Sequence, residues 1–130
     1  MYDYDDKTST KEDKEKRIKA EKNRLLRIFR DVDKKKQNVV LGLIERAAFM
    51  RVQLDDLELD INTNGFTEWF AQGDKQEPYQ RKRPIADQYN IMSGSYAKVI
   101  KQLCDLLPAG KIPASERDGF DDFVTGRGEI

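Results

Sequence analysis

Apolar residues recur every seven positions in two stretches of the chain. In the first, Val40, Ala47, Leu54 and Ile61 mark one heptad position, and Leu43, Met50 and Leu57 mark the other. In the second, Tyr89, Tyr96 and Leu103 alternate with Ile85, Met92, Val99 and Leu106. A seven-residue repeat keeps one stripe of a helix turned toward a partner helix. The pattern predicts an all-α fold: an antiparallel helical hairpin with heptad-patterned helices, packing on itself and on copies of itself. The first helix is expected from about Asp33, with Asp33 or Asn38 as its N-cap. It should end after Ile61 at Asn62-Thr63-Asn64-Gly65, because Asn-Gly favours a positive φ. The second should open at Pro84, a first-turn proline, and stop before Pro108 and Gly110. The core portions of the two helices are about 24 residues each and span roughly 36 Å, and matched lengths favour antiparallel pairing.

The first helix has apolar residues off its heptad stripe as well: Leu41, Ile44, Phe49, Val52 and Leu59. A helix with a second apolar surface touches more than one partner, either a third helix or another subunit. Phe49 and Val52 are the candidates for contacts between subunits. The connection 62–83 holds Phe66, Trp69, Phe70 and Tyr79. These aromatics are expected to fold back over one end of the hairpin, with docking into a neighbouring subunit as the alternative. Gly94, between Ser93 and Ser95, lies opposite the second heptad stripe. It marks either a close contact or an exposed face.

Four regions follow. Residues 1–10 are polar and acidic, and are expected to be disordered. Residues 11–32 form a basic helical arm with a sparse stripe of Ile18, Leu25, Phe29 and Val32. Residues 33–108 form the oligomerising hairpin core. Residues 109–130 form a flexible tail whose apolar cluster, Phe120, Phe123 and Val124, suits a partner-binding peptide.

Composition narrows the chemistry. Of 130 residues, 37% are charged and 38% hydrophobic, which suits an extended or oligomeric helical protein better than a single compact core. Net charge is zero, but Lys7 to Lys36 carries 13 Lys and Arg against 6 Asp and Glu. Such asymmetry reads either as a basic arm or as a solvated charged helix. There is no His, so the commonest general base and metal ligand is missing. The single Cys104 rules out a disulfide framework and, inside an apolar repeat, suggests a buried thiol in a reducing compartment. No Gly-rich phosphate loop occurs. Asp56 and Asp60 lie one helical turn apart, but the second helix offers only Asp87 and Asp105, without the E-x-x-D pairing of all-α nucleotide pyrophosphohydrolases. No catalytic constellation, metal site or cofactor is expected. The N-terminus lacks a signal-peptide core, and no apolar run approaches the roughly 20 residues needed to span a bilayer.

From Arg24 to Pro108, about two thirds of the chain, the sequence resembles the small subunits of tailed-bacteriophage terminases. The residues that carry the resemblance are LIERAAFMRVQLDDLELDINTNG (Leu43 to Gly65), RKRP (Arg81 to Pro84) and YNIMSGSYAKVIKQLCDLLP closing at Pro108. Their order carries it too: an apolar-acidic helix ending in I-N-x-N-G, an aromatic connection, an R-P helix start, a Y-x6-Y helix, then L-L-P. The resemblance implies a non-catalytic protein of viral genome packaging in the cytoplasm of an infected bacterium. Such a protein assembles into homo-oligomeric rings, binds double-stranded viral DNA and regulates the large terminase subunit, which holds the ATPase and nuclease.

Many small terminases begin with a compact helix-turn-helix domain, and the polar segment before this hairpin is too short to make one. DNA contact is expected instead from Lys14, Lys16, Arg17, Lys19, Lys22, Arg24, Arg27, Arg30, Lys34, Lys35 and Lys36, with Arg81, Lys82 and Arg83 as a second patch. Such phosphate contacts carry no sequence information by themselves. The alternatives are a structural coiled-coil adaptor or scaffold without DNA binding, and an antitoxin-like DNA-binding regulator with a dimeric helical core.

Overall fold

A computed structural model describes residues 4–108, with side chains described from residue 10. Helix α1 (Tyr4–Ile28) is followed by a 3-10 turn (Lys34–Lys36) and helix α2 (Gln37–Asn64). Strands β1 (Thr67–Phe70) and β2 (Tyr79–Lys82) form an antiparallel hairpin, and helix α3 (Pro84–Asp105) closes the described chain. The protein is mostly helical, and the long connection between α2 and α3 holds a small two-stranded sheet that the expected all-α fold did not include. Helix α1 also begins at Tyr4, within the segment expected to be disordered.

The element boundaries follow from local chemistry. The Asp33 carboxylate accepts from the Lys35 N–H at 3.3 Å and so caps the 3-10 turn that leads into α2. At the other end Gly65 takes φ 79°, which costs an L-residue side chain dearly, and its N–H donates to the Ile61 carbonyl at 2.7 Å. Pro84 opens α3, where its missing N–H leaves no helical bond unmade.

Helix α2 lies between the other two. Arg83 at the start of α3 reaches Asp60 near the end of α2, and Tyr89 reaches Glu58. Further along α3, Val99 and Leu103 share the core with Val40, Ile44 and Ala47 of early α2. The pair is therefore antiparallel, as the matched heptads predict. Helix α1 also runs antiparallel to α2, since Arg17 meets Asp56 and Lys22 meets Glu45. The main core forms where the ends of α1 and α3 meet the first half of α2. Leu25, Ile28, Phe29 and Val32 are buried there beside Val40, Ile44, Ala47, Ala48, Met50, Val99, Leu103 and Leu107. Residues 11–32 are thus an integral packed helix and its following turn rather than a free arm.

The second apolar face of α2 has its explanation in α1. Ile44, Ala48 and Val52 are spaced by four and all buried. The next position in that series, Asp56, is ion-paired to α1. Val52, expected at a contact between subunits, is 3% exposed in a single chain, on the α1 side of α2. Phe49, three positions before it and roughly 60° around the helix, remains 49% exposed. Of the heptad positions, Leu54, Ile61 and those named in the core are buried. Leu43, Leu57, Ile85, Tyr89, Met92, Tyr96 and Leu106 are half-buried.

The aromatics of the connection do not fold back as expected. Trp69 is 70% and Phe66 53% exposed. Strand pairing explains this. Glu68 pairs with Arg81 and Phe70 with Tyr79, so these four share one face of the hairpin. There Arg81 bonds Glu68 at 2.8 Å and lies 3.4 Å over the Phe70 ring, which meets Tyr79 edge-on. Trp69 is left on the other face with Thr67, Gln80 and Lys82. Cys104, expected to be buried, is exposed. It falls between the buried Leu103 and the half-buried Leu106 stripe positions on the far side of α3.

Two substitutions measure this packing. Leu103→Ala should lower unfolding free energy by about 2–5 kcal/mol, the range for a fully buried leucine. Gly94→Ala should raise it by about 0.5–1 kcal/mol, because a Cβ there meets nothing within 4 Å and mid-helix glycine is unfavourable. Urea denaturation followed by circular dichroism reads both.

Candidate nucleic-acid interface

The basic residues divide into two sets. One set is matched by this chain's own carboxylates. Lys14 and Arg17 both bind Asp56, at 3.2 and 2.8 Å, and Lys22 binds Glu45 at 3.1 Å. Arg24 is held by Glu21 one turn before it on α1. The second expected patch is matched throughout: Arg81 to Glu68, Lys82 to Asp87 and Arg83 to Asp60. Each such surface pair contributes only about 0–1 kcal/mol to stability. Its larger effect is to cancel the charge that a phosphate would otherwise meet.

Arg83 is the most committed of these. Its side chain is 17% exposed, and its guanidinium donates to the Gly65 carbonyl and to Asp60, both at 2.7 Å. Its backbone N–H donates to the Phe66 carbonyl at 2.8 Å. It therefore ties the end of α2, the hairpin and the start of α3 together.

The other set is Lys16, Lys19, Arg27, Arg30, Lys34, Lys35 and Lys36. All are exposed and stand outside the ion pairs formed among the described residues. Steps of three and four carry Lys16 through Lys19 and Asn23 to Arg27, so these residues share one face of α1. The buried Leu25 and Ile28 and the half-buried Ile18 point the other way, toward α2. From Lys16 to Arg27 the stripe covers about 16 Å of helix. Arg30 and the lysines of the 3-10 turn follow in the reversal that leads into α2. The acids within this span are Glu21, held by Arg24, and Asp33, whose carboxylate caps Lys35, together with Asp31. The face carries cations outside those ion pairs, with Glu12 and Glu15 one helical turn before Lys16 and Lys19 as its nearest acids on α1, and its C-terminal part is suited to a polyanion.

The acidic cluster of late α2 is answered from within the same chain. Burial would raise the Asp56 carboxyl, but hydrogen bonds from Arg17 and Lys14 outweigh it and hold the group below the ordinary carboxylate range. Asp60 is held low by hydrogen bonds from Asn64 and Arg83. Among the described residues no group of three or more potential ligands is arranged to hold a metal ion. No helix among them is long and apolar enough to cross a membrane.

Sequence periodicity missed the α1 partners of α2. The signal was present: Glu45 and Asp56 flank the Ile44–Ala48–Val52 series, as charges beside a packed stripe do. The tail cluster of Phe120, Phe123 and Val124 lies outside the described residues. Comparisons with known protein families, curated proteins and solved structures find no match to this chain.

Acid titration tests the carboxylate pairs. Both folded-state pKa values are depressed, so the stabilisation is present above the unfolded value of about 4 and is lost as pH falls through the folded values. Asp56→Asn and Asp60→Asn should each be less stable than the wild type at pH 7. The gap should close below the ordinary carboxylate range. Melting temperatures recorded from pH 7 down to pH 2 check the convergence.

Proposed function

We propose that this chain is the small subunit of a phage terminase: a non-catalytic, homo-oligomeric protein that binds double-stranded viral DNA and regulates a large ATPase–nuclease subunit. The observation that carries the DNA-binding part is the division of charge on α1. Cations facing α2 are matched by carboxylates, and cations on the opposite face are not. The resemblance of residues 24–108 to small terminases supports the packaging role, and the half-exposed heptad positions support self-association. The large subunit would meet the tail cluster Phe120, Phe123 and Val124.

The test replaces Lys16, Lys19, Arg27 and Arg30 with Gln together. The fold should hold, because none of the four is buried or ion-paired. Duplex DNA affinity should fall, and the log–log salt slope should flatten by about 0.9 for each phosphate that is no longer neutralised. Arg81→Gln and Lys82→Gln should leave the slope unchanged. A quadruple variant that binds duplex DNA with the wild-type slope rules out the α1 face as the DNA site. Wild-type protein that fails to bind duplex DNA at low salt rules out the terminase reading in favour of an adaptor.

A further inference from the structure

The exposed surface holds an apolar groove and an apolar knob that do not meet within one chain. The groove, about 400 Å³, runs between α2 and α3. Met50 and Leu57 form one wall and Ile91 and Met92 the other, with Gln53 and Gln88 at the rim. Ile91 is 71% exposed, an unusual position for so large an aliphatic side chain. The knob is Trp69, 70% exposed on the free face of the hairpin. No hairpin residue lines the groove.

We propose that the Trp69 face of one copy seats in the α2–α3 groove of the next, joining subunits head to tail. This inference rests on the homo-oligomeric reading above and names the two halves of its interface. The chemistry of the two surfaces is complementary. Two methionines give a deformable floor that suits an aromatic ring. The glutamine rim supplies side-chain carbonyls for the indole N–H, which needs an acceptor once it is buried.

The charges agree as well. Arg46 lies one turn before Met50, and Lys98 two turns beyond Ile91, both toward the same end of the groove. Both are exposed and stand outside the ion pairs of the described residues. Asp74 and Glu77 at the hairpin tip are likewise exposed and outside those pairs. The tip lies about 10 Å beyond Trp69 at strand spacing. Arg46 and Lys98 lie about 6 and 10 Å along their helices from the groove's apolar walls. Lys75 lies between these two acids and is also exposed, so the tip carries a net of one negative charge. With the hairpin tip turned toward that end of the groove, seating Trp69 brings this net negative tip over two cations. Because knob and groove are different patches, each subunit can engage one neighbour through each. The result is a ring or an open chain, not a twofold dimer.

Trp69 is the only tryptophan in the sequence, so its fluorescence reports on the knob directly. In full-length protein, raising the concentration through the assembly transition should move the emission to shorter wavelength and cut acrylamide quenching several-fold. Ile91→Asp should stay monomeric with water-exposed emission, and Trp69→Ala should also fail to assemble. Both should keep wild-type helicity, since both positions are exposed. Mixed in equal amounts, the two variants should form a species of two chains and no larger, because only one competent knob and one competent groove remain. Assembled wild-type protein whose Trp69 stays fully quenchable overturns the proposal while leaving the homo-oligomer standing. So does a Trp69→Ala variant of wild-type mass, or a mixture that stays monomeric. Wild-type protein that is monomeric at every concentration overturns both.

Discussion

Helix α2 has to be covered on two sides at once, and the rest of the structure follows from that requirement. One stripe, through Val40, Ala47 and Leu54, is closed by α3, and the other, through Ile44, Ala48 and Val52, lies on the side that α1 flanks. Neither flanking helix has enough apolar surface to stand alone. Helix α1 in particular is dominated by Lys, Glu and Arg, which favour a helix but leave only a narrow apolar stripe, so its place in the fold comes from packing on α2. It is held by Leu25 and Ile28 at one end and by charge pairs to Asp56 and Glu45 along its length. A central helix with two partners is what lets a chain with only 38% hydrophobic residues bury a continuous core.

The same arrangement sorts the charge. A basic helix laid against an acidic one neutralises the facing residues and turns the remainder outward. Without α2, the cations of α1 would be distributed around the helix with no functional side. Against α2, Lys16, Lys19 and Arg27 become a single exposed row, and Lys14, Arg17 and Lys22 become part of the fold. The packing that stabilises α1 thereby defines the surface proposed above for DNA.

The turn between α2 and α3 shows how one residue organises a corner. Arg83 spans Asp60, Gly65 and Phe66 with three hydrogen bonds, and Gly65 supplies the positive φ that aims the chain into the hairpin. Strand pairing then places Arg81, Phe70, Tyr79 and Glu68 on one face, where Arg81 bonds Glu68 and stacks on Phe70 and Phe70 meets Tyr79, and leaves Trp69 as the aromatic residue of the other. An exposed tryptophan is thus a consequence of register, since alternate residues of a strand point to opposite faces.

Much of this was legible in the amino-acid order. The heptads marked α2 and α3 and their antiparallel pairing, because a seven-residue repeat has few other uses in a short chain. Asn64-Gly65 and Pro84 marked boundaries, because capping and φ preferences are local, whereas Asp33 caps the 3-10 turn ahead of α2 and Asn38 lies inside that helix, so neither is its N-cap. The tertiary structure decided what local chemistry cannot. It paired Arg17 with Asp56 across 39 positions and Arg83 with Asp60 across 23, and so separated structural cations from available ones. It buried Val52, exposed Cys104 and Trp69, and made a hairpin of a segment with no clear strand alternation. Each of these outcomes depends on which elements meet in space, and composition and period say nothing about that until the third helix is in place.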